Sequence, residues 1–331
     1  MNNTYFGIDY SILPEGFMLL EDEPRFNPAI HLQLEQPSEV YSLADLGYDQ
    51  EEIATCPSDF GATSVFRILS DEGAACLLDV CKQLEAFTTS NERIQRTTRG
   101  GVYRSQFLRD LCLSPDVTEF MSAIAGTDLM PHTMPHQLGH LNYAPAEIGK
   151  NVDKWHVDTL RYDYVMFVTD PTKNEGGAFQ YYRGTKHEVA ALKAAGKPLD
   201  PNKVISPKMP GPGYAVMQQG NMVVHQAKGL TAVGERITMV NGYINADPTI
   251  ADYTRYDQLV MVDPNHVVTA EYNRHASLHA QRLLNQAISN LGYSEDHQEF
   301  AGKLSEAAAI LQHAAEEIRN GDEAVMEHFG D

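Results

Sequence analysis

The sequence predicts an α+β fold with a mostly β core and flanking helices. Between about residues 129 and 245, short apolar or alternating runs are separated by Gly, Pro and Asn, which is the pattern of strands joined by turns. Outside this region, four segments show the apolar spacing of amphipathic helices. The strand pattern is typical of an all-β sandwich or barrel, so we expect such a core between helical flanks.

The part of the chain before the core is predicted to be largely irregular up to residue 60, where prolines and acids are scattered. Apolar spacing then predicts a helix over 71–87. A second helix is predicted over 114–126, with Ser114 near its start and Gly126 after its end. We expect residues 1–94 to form an N-terminal extension, and the core of about 95–245 to include the second helix and the strand-rich region.

The strands of the core are expected in six runs: HQLGHLNYA, YDYVMFVTD, GGAFQYYRG, GYAVMQQG, NMVVHQA and ERITMVNGYIN. A polar, Pro- and Gly-rich segment, 190–213, interrupts them. A long loop within a compact domain is usually functional, so this segment is a candidate lid.

Two further helices are predicted after the core, over 269–290 and 294–321. Ser294 would cap the second helix and Gly321 would end it. They form a C-terminal helical extension over 265–331, and we expect one domain over all 331 residues. The extension could pack on the core or provide a homodimer face.

Composition limits the possible partners and location. The net charge of −20 argues against nucleic-acid binding. No apolar run reaches the roughly 18 residues that span a bilayer, and the N-terminus lacks the pattern of a secretory signal. The four cysteines form no C-x-x-C pair, so free thiols in a reducing compartment are expected. We therefore expect a cytoplasmic protein with a small-molecule substrate and no nucleic-acid or membrane partner.

A candidate metal site begins in KWHVDTLRYD, where His156 and Asp158 are two residues apart. Residues at this spacing on a strand point to the same side and can reach one ion. His225 lies in another predicted strand and supplies a third ligand. Two imidazoles and one carboxylate on one face of an octahedron suit non-haem Fe(II), because three positions stay open for O2 chemistry.

A candidate anion site follows eleven residues after His225. Arg236 and Thr238 would share one face of a strand. The Arg fork fits a carboxylate, and the Thr hydroxyl adds a hydrogen bond. A dicarboxylate such as 2-oxoglutarate would place its far carboxylate on Arg236 and its keto-acid end on the iron.

This ordered set of residues resembles the Fe(II)/2-oxoglutarate-dependent dioxygenases. The stretch NEGGAFQYYRGTKHE (174–188) also looks like the segment that follows the H-x-D strand in the phytanoyl-CoA-hydroxylase-like branch. The resemblance covers about residues 95–245. It implies a double-stranded β-helix core (a jelly-roll, cupin-like), with Fe(II), 2-oxoglutarate and O2, and release of succinate and CO2.

The resemblance implies an oxygenase that hydroxylates or otherwise oxidises an unactivated C–H bond. Arg183 stands where the branch has Pro, so the acyl-CoA substrate is not carried over. A small polar metabolite, such as an amino acid or a biosynthetic intermediate, is expected instead. Asp158 stands where related halogenases have Gly or Ala, which favours oxygenation over halogenation.

Several residues are candidates for contact with the substrate. Arg161 could hold a substrate carboxylate or form a surface salt bridge. The stretch RGGVYRSQF could be a loop over the site or a plain turn into a strand. His136 would share a strand face with two of the candidates. The candidates are Arg161, Tyr103, Arg104, His140 and Asn142.

Two other pairs that contain His are not expected to bind a metal. His297 and Glu299 face different sides of a predicted helix, and His275 and His279 lack the Glu of a zinc-protease motif. Trp155 would point away from the site and pack in a core. The functional alternatives are a cupin-like metalloenzyme that does not use 2-oxoglutarate and a non-catalytic jelly-roll binding protein.

Overall fold

The computed structural model describes residues 4–5, 7–289, 292, 297–321 and 325–330. Within them the chain forms a mixed α/β structure with a large antiparallel sheet and C-terminal helices. The strands are β1 Thr4–Tyr5, β2 Ile8–Asp9, β3 Val40–Ser42, β4 Phe60–Thr63, β5 Phe66–Arg67, β6 Thr97–Thr98, β7 Leu129–Pro131, β8 His140–Tyr143, β9 Asp153–His156, β10 Tyr162–Phe167, β11 Phe179–Tyr182, β12 Val204–Ile205, β13 Tyr214–Gln218, β14 His225–Ala227 and β15 Ile237–Asn245.

The α-helices of the described residues are α1 Pro28–His31, α2 Gln50–Ile53, α3 Asp71–Leu84, α4 Gly101–Arg104, α5 Gln106–Cys112, α6 Pro115–Ala125, α7 Lys186–Ala194, α8 Tyr256–Leu259, α9 Asn265–Ser289 and α10 His297–Asn320. Short 3₁₀ helices cover Ala44–Leu46, Glu85–Phe87, Pro135–Gln137, Pro171–Lys173 and Pro201–Lys203.

Two antiparallel sheets form the β core. The major sheet has the order β3-β4-β13-β10-β15-β8-β6, with β5 beside β13 and β7 beside β15. The minor sheet has the order β12-β11-β14-β9. Phe179 and Tyr181 of the minor sheet share one apolar cluster with Val165, Val216 and Val240 of the major sheet. The two sheets therefore pack face to face.

The side chains of β10 alternate between the two faces of the major sheet. Tyr162, Tyr164 and Met166 pack in the cluster formed with helices α3, α5 and α6. Val165 and Phe167 point between the sheets. Successive residues of a strand point to opposite faces, so every second residue of β10 faces the inter-sheet space.

The two helices predicted before the strand-rich region are confirmed. The α3 helix begins after Ser70, whose hydroxyl accepts a hydrogen bond from the N–H of Gly73. The α6 helix follows Ser114 and ends at Gly126, which has φ +65°. This left-handed conformation costs glycine little and stops the helix.

Three expectations from the sequence are corrected here. The β core begins well before residue 95, because residues 40–67 contribute β3, β4 and β5 to the major sheet. Segment 190–213 is not one long loop: α7 runs to Ala194, and β12 pairs with β11. His136 lies in a 3₁₀ helix that starts at Pro135, so it does not continue β8.

The C-terminal helices α9 and α10 pack against each other and on the core. Both were predicted, although the expected cap, Ser294, lies outside the described residues. Residues 325–330 return to the minor sheet, where the N–H of Phe329 donates to the carbonyl of Trp155 at 2.6 Å. None of the described helices is long and apolar enough to cross a membrane. All four cysteines are free.

Candidate metal centre

Two side chains of the minor sheet and one that lies just beyond it converge at one point. His156 ends β9, His225 begins β14, and the two residues are direct partners in the antiparallel ladder. Asp158 follows two residues after β9. One ligand atom from each residue lies within 4.8 Å of the others. The predicted ligands therefore meet, although Asp158 lies just beyond the strand on which the sequence placed it.

Hydrogen bonds orient both imidazoles toward Asp158. The Nδ1–H of His156 donates to the Lys154 carbonyl at 2.7 Å, and that of His225 donates to the Val223 carbonyl at 3.0 Å. A carbonyl can only accept, so in the neutral ring each Nε2 keeps its lone pair. These Nε2 atoms lie 3.4 and 3.3 Å from the Asp158 carboxylate oxygens. Such backbone support is the usual second interaction of metal-binding histidines.

The β13–β14 turn positions Asp158. The N–H of Asp158 donates to the Gly220 carbonyl at 2.9 Å. A Cβ at Gly220 would lie 2.3 Å from an oxygen of Asp163 and 2.9 Å from an oxygen of Asp158. Only glycine therefore lets the turn approach both carboxylates. Gln218 donates to Asp163 at 3.2 Å and to Asp158 at 3.4 Å.

The charges of the site match a metal-binding state. Burial, with repulsion from His156, lowers the pKa of His225 to about 4. Burial alone would raise the pKa of Asp158, but His225 and His156 outweigh it and hold that pKa below its usual value. Burial and the neighbouring Asp158 raise the pKa of Asp163 well above its usual value. At neutral pH the site therefore offers a neutral His225 and an ionised Asp158.

Arg236, which directly precedes β15, forms a second buried centre beside the major sheet. The side chain is 2% exposed, and its Nε donates to the Gly177 carbonyl at 2.7 Å. Its Nη1 lies 3.3 Å from the Thr238 hydroxyl, as the shared strand face predicted. The Nη2 has no hydrogen-bond partner among the described residues. Burial lowers the pKa of Arg236 to about 10, so the guanidinium stays charged at neutral pH.

Gly177 allows the close approach of Arg236. Its φ is +72°, and a Cβ there would lie 3.1 Å from the Arg236 Cδ. Two residues later, Phe179 packs against the His225 ring at 5.7 Å between centroids. The segment from Gly177 to Phe179, which leads into β11, thus connects the guanidinium to the metal ligands.

His140 and Asn142 lie on the interior side of the major sheet. Asn142 is the ladder partner of Thr238, and its Oδ1 accepts a hydrogen bond from Thr97 at 3.0 Å. His140 lies 3.3 Å from Arg99. Burial, and then Arg99, lower the pKa of His140 well below its usual value. Both candidates therefore share the interior with the metal ligands and Arg236.

Tyr103 and Arg104 are placed elsewhere. Both lie in α4, where a loop or a turn was expected. The Tyr103 hydroxyl donates to Glu271 of α9 at 2.9 Å. The Arg104 guanidinium is stacked between the rings of Phe17 and Phe87, at 4.3 and 3.9 Å. These contacts fix the N-terminal segment and α9, and they do not direct either side chain to the metal ligands.

Arg161 is neither exposed nor salt-bridged among the described residues. It is 4% exposed, its Nη2 donates to the Ala251 carbonyl at 3.1 Å, and it lies over the Tyr253 ring at 4.4 Å. The alternative prediction, that Arg161 forms a surface salt bridge, is therefore wrong.

The two other His-containing pairs and Trp155 do not take part in the metal site. His275 contacts the Thr133 hydroxyl at 2.6 Å and Asp252 at 3.3 Å, so both ring nitrogens are engaged. His279 contacts the Pro248 carbonyl. His297 and Glu299 are exposed on α10. Trp155 packs with Tyr182, Val189 and Val224, as expected for a core residue.

Two site residues were not found from the sequence. Asp153 lies 3.5 Å from the Nε2 of His156 and forms an ion pair with Arg93 at 3.0 Å. Arg99 binds the carboxylate of Asp263 through Nε, at 2.8 and 2.7 Å, and contacts His140. Asp153 lay three residues before His156, a spacing that does not share a strand face and so gave no indication.

Comparisons with known proteins identify only structural neighbours. No protein-family model matches the sequence, and no curated protein matches it. The epimerase SnoN of nogalamycin biosynthesis, a non-heme alpha ketoglutarate dependent enzyme, matches with a TM-score of 0.43 and 14% identity over 56% of this chain and 78% of its own.

EctD from S. alaskensis with bound Fe matches with a TM-score of 0.44 and 15% identity over 71% of this chain and 86% of its own. AviO1 from Streptomyces viridochromogenes Tue57 matches with a TM-score of 0.44 and 16% identity over 65% and 98%. Function is therefore inferred from the site itself.

Proposed function

We propose that this protein is an Fe(II)- and 2-oxoglutarate-dependent oxygenase that oxidises an unactivated C–H bond of a small polar metabolite. We further propose that its two sheets form a double-stranded β-helix of the phytanoyl-CoA-hydroxylase-like branch. The observation that carries the proposal is the pairing of a His156–Asp158–His225 cluster with a buried Arg236 whose Nη2 has no partner among the described residues.

The donor set fits Fe(II). Two imidazole nitrogens and one carboxylate occupy one face of an octahedron and leave three positions for other ligands. In its neutral form, each imidazole holds the tautomer that metal binding needs, because Nδ1 faces a backbone carbonyl. When bound, Fe(II) with 2-oxoglutarate supplies the oxidant from O2, and succinate and CO2 are released.

The site around Arg236 fits a dicarboxylate. A buried guanidinium with an unused N–H favours an anion, because an unpaired charge is costly in a protein interior. The Thr238 hydroxyl, 3.3 Å from Nη1, adds a second polar group for one carboxylate. Arg236 would anchor the far carboxylate of 2-oxoglutarate, while His156, Asp158 and His225 hold the metal that its keto-acid end needs.

The remaining residues orient the substrate and limit access of water. His140 and Asn142 present polar groups from the major sheet, and the packed sheets keep the interior largely apolar. Asp158 occupies the position that halide would need, which favours hydroxylation, desaturation or cyclisation over halogenation. A small-molecule substrate, a cytoplasmic location and the absence of nucleic-acid or membrane partners are part of the same proposal.

Anaerobic spectroscopy tests the proposal. Fe(II) and 2-oxoglutarate added together should give a charge-transfer absorption band in the wild-type protein. His225→Ala should abolish it, whereas His313→Ala, at an exposed position of α10, should keep it. Absence of the band in the wild type would instead favour a non-catalytic binding protein.

A second experiment separates 2-oxoglutarate use from other metal chemistry. Arg236→Ala should abolish succinate release at low 2-oxoglutarate concentration while metal binding is retained. Turnover that does not change at low 2-oxoglutarate would favour a cupin-like enzyme that needs no 2-oxoglutarate.

A further inference from the structure

We infer that Arg161 binds an anionic group of the substrate, so that the substrate is a small carboxylic acid, and that residues 246–254 form the wall of this subsite. The inference rests on the proposed function, because it assigns the substrate class of the same site. It also gives the C-terminal helix α9 a part in substrate binding.

Arg161 lies beside the metal ligands. Gly220 connects the two, since its carbonyl accepts from the N–H of Asp158 at 2.9 Å and its N–H donates to the Arg161 carbonyl at 2.8 Å. Arg161 is also the last residue before β10, two positions ahead of Asp163, whose carboxylate accepts a hydrogen bond from Gln218 beside the metal ligands.

The Arg161 guanidinium is a buried cation without an anion. No carboxylate of the described residues forms an ion pair with it, and its Nε and Nη1 have no hydrogen-bond partner there. Arg104 also lacks a carboxylate, but two aromatic rings enclose it. The Tyr253 ring covers one face of the Arg161 guanidinium, and the unpaired N–H groups of Nε and Nη1 lie at the edges of its planar fork. This fork suits a carboxylate, which it can bind through two parallel hydrogen bonds.

A narrow cavity lies between Arg161 and the segment 246–254. Two acids of this wall also line the cavity, but each has other partners. Asp247 accepts from the N–H and hydroxyl of Thr249, at 2.9 and 2.8 Å. Asp252 accepts from the N–H of Thr254 at 2.6 Å and contacts His275 at 3.3 Å. The cavity has room for about one water molecule, so binding of a carboxylate at Arg161 requires the 246–254 wall to move outward.

Helix α9 holds this wall in place. His275 contacts Asp252, and His279 contacts the Pro248 carbonyl at 2.8 Å. Arg282 contacts the Ala246 carbonyl. These three residues lie on one side of α9 at spacings of four and three. The position of Tyr253 over Arg161 therefore depends on the C-terminal extension.

The test measures binding, so it does not depend on turnover. Small amino and hydroxy acids of two to six carbons, each beside its primary amide, are titrated anaerobically into the protein with Fe(II) and 2-oxoglutarate. The readout is the change in the absorption band and in circular dichroism. At least one acid should bind about 10- to 100-fold more tightly than its amide, as expected for charge-assisted hydrogen bonds.

Variants show whether Arg161 binds the carboxylate of the ligand or only packs within the fold. Arg161→Gln should remove the preference for the acid, and Arg161→Lys should restore part of it. Arg255→Gln is the matched control, since Arg255 lies in the same part of the chain and pairs with Asp257 and Glu327; it should keep the full preference. Thermal unfolding of each variant shows whether its fold is intact.

The inference is overturned if no acid of the panel binds more tightly than its amide, or if a folded Arg161→Gln keeps the preference. An absorption band that never forms in the wild-type protein would contradict the proposed function. A normal band without a preference for acids would contradict the substrate class alone.

Discussion

Replacing Arg236 by Gln should leave the stability of the ligand-free protein almost unchanged but strongly weaken the binding of 2-oxoglutarate. Burial lowers the Arg236 pKa to about 10 from 12.5, which corresponds to about 3 kcal/mol of unfavourable charge burial. The variant removes this cost. It also loses the hydrogen bond to Gly177 and the contact with the Phe167 ring, together worth about 2–4 kcal/mol. Without ligand, the free energy of unfolding should therefore change by less than about 1 kcal/mol.

The effect on ligand binding should be much larger. The loss of charge-assisted hydrogen bonds, about 1.5–3 kcal/mol, raises the Kd of 2-oxoglutarate about 10- to 150-fold. At a concentration of 100 Kd, 2-oxoglutarate should stabilise the wild-type protein by about 2.7 kcal/mol, and the variant by only about 0.3–1.4 kcal/mol.

Urea unfolding measures both quantities, without ligand and with 2-oxoglutarate and Fe(II) in the absence of oxygen. A loss of about 3–5 kcal/mol in the ligand-free variant would refute the reasoning, because that is the cost of breaking a paired buried charge. Equal stabilisation of both proteins by 2-oxoglutarate would show that Arg236 does not bind it.

Three further substitutions test other parts of the structure. Gly177→Ala places a methyl group 3.1 Å from Arg236 at a φ of +72°. Titration calorimetry should therefore show weaker binding of 2-oxoglutarate. An unchanged affinity would contradict the close packing of Gly177 against Arg236. Gly220→Ala should weaken metal binding about 10- to 100-fold by displacing Asp158, and Gly302→Ala, with open space around it, is the control. Burial lowers the pKa of His132 to about 3 from 6.5. From pH 6 to 4 the unfolded chain therefore binds a proton that the native state does not, and stability should fall by up to about 1.4 kcal/mol per pH unit. In urea unfolding, His132→Gln should reduce the change of the unfolding free energy with pH. An equal pH dependence in the variant and the wild type would contradict this role of His132.

The metal ligands and the anion site could be predicted from the sequence because each pair has the two-residue spacing of a strand. One member of each pair lies on a strand and the other just outside it, since Arg236 precedes β15 and Asp158 follows β9. The residues around these sites could not be predicted in the same way. The ion pair of Asp153 with Arg93 joins residues 60 positions apart, and no local pattern indicates such a contact.

The errors in the predicted elements also have local causes. His136 was assigned to a strand, but Pro135 favours the start of a helical turn, and Glu271 of α9 holds the His136 ring at 2.7 Å. Residues 40–67 were not recognised as strands because these are only two to four residues long. The sheet rather than local propensity determines such short strands.

The return of residues 325–330 to the minor sheet protects a vulnerable edge. The strand β9 is the last of its sheet, and Trp155 would otherwise expose its N–H and carbonyl to other chains. The bonds to Phe329 and Gly330 engage both groups. Unpaired edges invite pairing between molecules, so removing this tail should promote aggregation through the very strand that carries His156. A tag intended for purification is therefore better placed at the other end of the chain.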